Sequence, residues 1–329
     1  MTTGIVSVDI GGTHARFALA QITKDGAITL GEPATLHTRD HASFQTAWEH
    51  FAQLQGGSLP TACAIAIAGP VGGEMIRFTN NPWVIRPALI PEKLGASRYT
   101  VINDFGAVGH AVARAGPEFF VHLAGPDQPL PATGTLSVLG PGTGMGVAHV
   151  WRDGAGGYQV QATEGGHIDY APLDSIEDAI LARLRQRYRR VSAERVVSGP
   201  GLVDIYEALA GMEGRAIQPV DDRTLWGLGT SGPNEGGDSL AAAAVDRFCL
   251  ALGSFAGDIA LAQGASGVVI AGGLGLRIRD TLLQSGFANR FKSKGRFEGL
   301  MAALPVKLIT HPQPGLFGAA AAFAKEHLT

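Results

Sequence analysis

Four short clusters combine residue types that do chemistry. In Asp9-Ile10-Gly11-Gly12-Thr13, two adjacent glycines expose successive backbone N–H groups and Thr13 adds a hydroxyl. Such a turn can cradle phosphate oxygens without a lysine, and Asp9, at the end of an apolar run, is placed to hold the hydrated magnesium that accompanies a nucleoside triphosphate. The same residues also suit an ordinary hairpin, in which Gly-Gly supplies positive φ. Gly140-Pro141-Gly142-Thr143-Gly144-Met145-Gly146 offers a second phosphate clamp. It does not fit the dinucleotide fingerprint, because Met145 stands where that pattern wants glycine, and no Walker A lysine pattern occurs.

The third cluster, Ile102-Asn103-Asp104-Phe105, sets a carboxylate beside an amide at the end of an apolar run. Abstraction of a hydroxyl proton needs this pairing, an acceptor next to a group that orients the substrate. An Asx turn or helix N-cap uses the same residues. The fourth is Glu164-Gly165-Gly166-His167, with Glu194 downstream. Carboxylates accept from hydroxyls and a neutral imidazole both donates and accepts, which suits a polyol. Zinc is the rival for Glu-x-x-His, but cysteines and further spaced histidines are lacking nearby; a solvated loop is the plainer alternative.

These clusters need strands and turns to carry them. Apolar runs at Ile5–Asp9, His14–Ala20, Ala62–Ala68 and Tyr99–Asn103 read as strands, with helical material at Phe44–Leu54 between them. The alternation predicts an α/β lobe. A second strand, turn and strand runs from Leu136–Leu139 to Val147–Trp151. Its Gly142-Thr143 follows Gly12-Thr13 by 130 residues, so the chain reads as two copies of one phosphate-handling unit. Val245, Phe248, Leu252, Phe255 and Ile259 form the stripe of a long helix. It leads to a strand at Val268–Ile270 that ends in Ala271-Gly272-Gly273, a turn that lets backbone approach a ligand. Val306–Ile309 predicts a last strand and Leu316–His327 a closing helix.

Composition sets the bounds. A chain of 329 residues exceeds one ordinary hydrophobic core, so two domains or lobes are expected. Glycine, at 46 residues, is about twice its average usage and clusters between apolar runs, as backbone-lined turns require. A net charge of −3 supplies no field for a nucleic-acid backbone. The uncharged run Ile259–Leu276 has the length of a membrane span but carries Gln263, Ser266 and five glycines. It predicts a helix end followed by a buried strand, with no membrane partner. The first residues enter a strand pattern without an early Lys or Arg, unlike a signal peptide. Cys63 and Cys249 both lie in apolar patterns, which predicts buried thiols in a reducing cytosol.

The ordered set resembles the bacterial glucokinases of enterobacterial type, in the actin-like/hexokinase superfamily. It comprises Asp9–Arg16, Thr79-Asn80, Ile102–Phe105, the turn at 140–146, Glu164–His167, Ser192–Val196 with Ser198–Gly201, Ala271–Gly273, Lys294–Phe297 and Pro314-Gly315. The resemblance implies a two-domain, actin-like ATPase (ribonuclease H-like) α/β fold: a small domain over 1–112 with the helix 316–329 returning to it, a large domain over 113–315, and a cleft between them. It further implies ATP-dependent phosphorylation of the 6-hydroxyl of glucose. Asn80, Asn103, Asp104, Glu164, His167 and Glu194 would hold the sugar, with Asp104 as the base. Asp9, Ile10, Gly11, Gly12, Thr13, Gly142, Thr143, Gly144, Gly272 and Gly273 would face ATP, and Asp9 would hold Mg²⁺ through water. A cytoplasmic homodimer is the family's habit. The sequence departs from the pattern at Asn81-Pro82, which predicts a different local conformation there. It also lacks the cysteine cluster of the related zinc-containing repressors.

Overall fold

The computed structural model describes residues 2–78, 81–232 and 235–328. The chain divides into two compact units, one of Met1–Ala115, Val160–Ala162 and His311–Thr329, the other of Gly116–Gln159 and Thr163–Thr310.

In the first unit, β-branched and apolar residues at every second position give strands whose two faces are both covered. These are β1 (Thr2–Ile10), β2 (His14–Thr23), β3 (Ile28–Leu30), β4 (Ala34–His37), β5 (Ala62–Ile67), the short ribbon β6 (Ile76–Arg77) and β7 (Val84–Ile85), and β8 (Arg98–Asn103). The main sheet has the order β3-β2-β1-β5-β8, with β4 also on β2. β1 and β2 are antiparallel, while β1, β5 and β8 are parallel, with Ile10 opposite Ile67 and Ile67 opposite Asn103. Large side chains alternate to one face, where Val6, Val8, Cys63, Ile65 and Ile67 meet Trp48 and Phe51 of the helix Phe44–Leu54. Small ones alternate to the other, where Ala62, Ala64 and Ala66 meet Ala107, Ala319 and Ala320. Alanines there let the helices Asp104–Arg114 and Pro314–His327 lie close to the strands. Ser7, buried in β1, donates its hydroxyl to the Leu316 carbonyl at 2.6 Å.

The second unit repeats the plan. It contains β9 (Phe120–Ala124), β10 (Thr133–Pro141), β11 (Met145–Asp153), β12 (Tyr158–Thr163, of which 160–162 group with the first unit), β13 (Ala265–Ile270) and β14 (Val306–Ile309). The order is β12-β11-β10-β13-β14-β9. β10 and β11 form an antiparallel hairpin, and β13 and β14 run parallel to β10. The duplication expected from the two Gly-Thr turns extends to burial: residues 12–20 and 142–150 alternate between buried and accessible in the same pattern, with Thr13 and Thr143 exposed at the tips.

The predicted stripe lies in the helix Ser239–Gln263, and all five of its residues are buried. This helix is long and apolar enough to cross a membrane, but 72% of its apolar window is buried in the fold. The uncharged run is the end of that helix followed by β13, whose Val268, Val269 and Ile270 are fully covered. Cys63 and Cys249 are buried, and burial pushes each thiol up to about 12. Several strands are longer than the sequence predicts. β1 begins at Thr2 rather than Ile5, and β2 runs to Thr23 rather than Ala20, because the added residues at the sheet end include exposed polar ones that give no apolar signal.

Candidate active site

In the first unit the carboxyl ends of β1, β5 and β8 are level, so Gly11 and Asp104 each follow a strand end two strands apart, about 10 Å. The first glycine turn is closed by the Gly11 N–H donating to the His14 carbonyl at 2.9 Å. Neither Gly11 nor Gly12 has a positive φ, so left-handed backbone is not what requires glycine in this hairpin turn. Thr38, which sequence reasoning missed, pins the turn from outside. Its hydroxyl donates to the Gly12 carbonyl at 2.9 Å and its N–H to the Thr13 carbonyl at 3.0 Å. Both turn carbonyls are thereby occupied, and Thr13 stays exposed at the tip. No sequence signal marks Thr38, because it stands 26 residues from its partner. Thr38→Val, which keeps shape and loses the hydroxyl, is expected to destabilise the fold by about 1 kcal/mol through one lost hydrogen bond to the Gly12 carbonyl. Denaturant unfolding checks this, and unchanged stability would show that the turn holds without the Thr38 hydroxyl.

Asp9 is accessible over 21% of its side chain and lies 3.4 Å from the Arg16 guanidinium. Burial pushes its carboxyl above the ordinary carboxylate range, and Arg16 pulls it back. The carboxylate also abuts Gly315 at the start of the C-terminal helix: a Cβ on Gly315 would stand 2.7 Å from Asp9 Oδ2. Among the described residues no group of three or more His, Cys, Asp or Glu could hold a metal ion.

At the end of β8, the capping role falls to Asn103. Its Oδ1 accepts from the N–H groups of Phe105 at 2.9 Å and Gly106 at 3.0 Å, and its Nδ2 donates to the Gly69 carbonyl at 3.2 Å. Asp104 is the first residue of the helix, with Oδ1 accepting from Phe105 N–H at 2.8 Å. Asn80 lies outside the described residues. Asn81 makes an Asx turn, its Oδ1 accepting from the Trp83 N–H at 3.0 Å, which is a local reason for the Asn81-Pro82 departure.

In the second unit the Glu194 side chain and the loop that carries Glu164 and His167 both pack on one peptide, that of Met145 at the start of β11. Glu194 Oε2 accepts the Met145 N–H at 2.9 Å. Gly166 lies so near the Met145 carbonyl that a Cβ there would stand 2.2 Å from it, which explains the glycine between Glu164 and His167. His167 Nε2 is 3.9 Å from Glu164 Oε2, and both side chains are more than half exposed. The loop is tied down from behind: Ala193 N–H donates to the Ile168 carbonyl at 2.8 Å, and Arg190 donates to the His167 carbonyl at 2.9 Å and to Asp169 at 2.7 Å.

The second glycine turn borders the same peptide. Gly142 N–H donates to the Gly144 carbonyl at 2.8 Å, and the Gly142 carbonyl accepts from Gly199 at the start of the helix Gly199–Glu213, also at 2.8 Å. Gly272 flanks it, with a φ of +89° and room for a Cβ only 3.0 Å from the Pro141 carbonyl, while Ala271 N–H donates to the Leu139 carbonyl at 2.7 Å. Here glycine is needed for both conformation and close approach. Gly273 follows in the first turn of the helix Gly272–Arg277.

Comparison with known proteins gives this arrangement a family. The glucokinase family model matches residues 6–326. The glucokinase of Zymomonas mobilis is 58% identical over 323 residues, covering 98% of this chain and 98% of that protein. The chain belongs to the glucokinase family. It is an enzyme, and its reaction is the ATP-dependent phosphorylation of glucose. Among solved structures, the glucokinase of an Antarctic psychrotroph superposes with a TM-score of 0.85 at 32% identity, covering 98% of this chain and 99% of that one. The ROK hexokinase of Thermus thermophilus does so with a TM-score of 0.66 at 20% identity over 99% of each chain, a likeness of fold alone. The two mixed sheets of this glucokinase are those of the actin-like fold, and the repeated hairpin with parallel strands is its internal duplication.

Proposed function

We propose that Asp104 is the general base that accepts the proton of the glucose 6-hydroxyl as that oxygen attacks the γ-phosphorus of ATP. Asn103, Glu164, His167 and Glu194 bind the other hydroxyls, together with Asn80. The observation that supports this reading is that one peptide, that of Met145, fixes the Glu194 carboxylate through its N–H and is packed at its carbonyl by Gly166 of the loop that carries Glu164 and His167. A carboxylate fixed by a backbone N–H and a second carboxylate and an imidazole on a loop tied through its backbone offer acceptors and donors for the hydroxyls of a polyol. The N–H groups of Gly12 and Thr13 in the first turn and of Thr143 and Gly144 in the second, with the Thr13 and Thr143 hydroxyls and the backbone at Gly272 and Gly273, receive the phosphates and the charge that develops on them.

Mg²⁺ fits the residues present. Asp9 is one partly accessible carboxylate beside a phosphate turn, and no protein cage surrounds it among the described residues. An ion that keeps most of its waters and binds chiefly to phosphate oxygens needs no more. When bound, the ion would neutralise charge on the β- and γ-phosphates; Asp9 holds it through water, while Arg16 keeps the carboxylate in place. The enzyme works in the cytoplasm as a homodimer, which sedimentation equilibrium would read as twice the 34.2 kDa of one chain.

6-Deoxyglucose tests the assignment of the reacting hydroxyl. It is expected to inhibit competitively against glucose and to yield no phosphorylated sugar. Phosphorylation of 6-deoxyglucose at a rate comparable to glucose would place the reaction at another hydroxyl and remove Asp104 from its role.

A further inference from the structure

The second glycine turn carries a contact that phosphate binding does not require. A Cβ on Gly144 would stand 2.6 Å from Glu194 Oε2 and 3.4 Å from its Cδ, while a Cβ on Gly142, two residues earlier in the same turn, would meet nothing within 4 Å. Neither glycine has a positive φ, so conformation does not explain Gly144. What its missing side chain leaves is the space that the Glu194 carboxylate fills. The next peptide then fixes that carboxylate, through the Met145 N–H at 2.9 Å.

Glu194 has little freedom to retreat. Its short turn, Ala193–Arg195, is held by the Ala193 N–H on the Ile168 carbonyl at 2.8 Å and by the Val197 N–H on the Ala193 carbonyl at 2.7 Å. The Arg195 guanidinium lies over the Tyr188 ring, 4.1 Å from its centroid. Only the Glu194 side chain can yield to an added methyl group, and yielding turns it away from the Met145 N–H.

We infer that Gly144 is a positioning residue for the sugar: it leaves the space from which Glu194, fixed by the Met145 N–H, binds glucose. The inference rests on the reading that Glu194 contacts glucose. Its consequence is that a residue of the nucleotide turn sets sugar affinity even when no nucleotide is bound.

Calorimetric titration of the full chain with glucose alone tests this. Gly144→Ala is expected to weaken glucose binding about ten-fold or more, the size of a lost charge-assisted hydrogen bond. Gly142→Ala should keep the wild-type glucose affinity, whatever it does to turnover with ATP. Because the methyl group acts through Glu194, adding Gly144→Ala to a Glu194→Ala enzyme should cost less than about two-fold further, a non-additivity that contacts of this kind produce. Independent, multiplying losses would overturn the inference. So would a Gly144→Ala enzyme that binds glucose as wild type while Glu194→Ala binds it weakly. Wild-type glucose affinity in Glu194→Ala would instead overturn the sugar role of Glu194 itself. If Gly144→Ala alone does not fold, Glu194→Ala must restore folding by removing the clash, and failure to restore it counts against the inference.

Discussion

Asp104→Asn is expected to lower kcat by about 10²- to 10⁴-fold, the usual contribution of a general base, while glucose affinity stays within a few-fold of wild type. Asparagine keeps the shape of the side chain and can still accept the Phe105 N–H that Asp104 Oδ1 accepts at 2.8 Å. It cannot take up a proton. The fold around it should survive, because the capping of this helix rests on Asn103, whose Oδ1 accepts from both Phe105 and Gly106. With sugar binding shared among Asn103, Glu164, His167 and Glu194 as proposed, the loss belongs in kcat and appears as missing transition-state stabilisation. Steady-state kinetics with a glucose titration separates the two quantities. Turnover within a few-fold of wild type would mean that Asp104 only supports the helix start and that the base lies elsewhere.

Gly318→Ala should destabilise the first unit by at least the upper end of the usual overpacking cost of about 1–3 kcal/mol. A Cβ on Gly318 would stand 1.7 Å from the Ala107 carbonyl oxygen and 2.5 Å from its carbon, both backbone atoms that cannot rotate aside. The C-terminal helix would have to back away from the helix Asp104–Arg114, whose first residue is the proposed base. Turnover is therefore expected to fall along with stability. Gly299→Ala is the matched control: it lies in the helix Glu298–Ala302, a Cβ there meets nothing within 4 Å, and alanine in a helix gains up to about 1 kcal/mol over glycine. A Gly318→Ala enzyme that melts with wild type would mean that the two helices are not in contact at this point.

What the sequence makes legible follows the range of the interactions. Strand cores and the long helix are plain, because their signal is local periodicity: the helix Phe44–Leu54 and the strand Val306–Ile309 have the predicted bounds. Short strands such as β3, β4 and the ribbon β6–β7 leave no comparable trace, since two to four residues cannot establish a period. The glycine turns are visible as composition, but the reasons for their glycines are not. Gly166 is glycine for the sake of the Met145 carbonyl, Gly315 for Asp9 and Gly318 for Ala107, and each partner lies at least 21 residues away. Thr38 is hidden for the same reason. At Ile102–Phe105 the sequence leaves capping and catalysis as alternatives for one pair of residues. In the fold Asn103 does the capping and Asp104 is the first residue of the helix, so capping is accounted for without Asp104.

The same local geometry bears on which sugar is preferred. If Glu164 and His167, 3.9 Å apart on a glycine-tethered loop, contact the sugar as proposed, a bare hydroxyl is expected to be preferred there over a bulky acetamido group. The central claim, a kinase that selects glucose and phosphorylates its 6-hydroxyl, is tested most directly by one competition. The wild-type enzyme is given ATP, Mg²⁺ and equal concentrations of glucose and N-acetylglucosamine, and the phosphorylated products are resolved by ³¹P NMR. Glucose 6-phosphate should be the dominant product; N-acetylglucosamine 6-phosphate in equal or greater amount, or glucose phosphorylated at another position, would contradict the account.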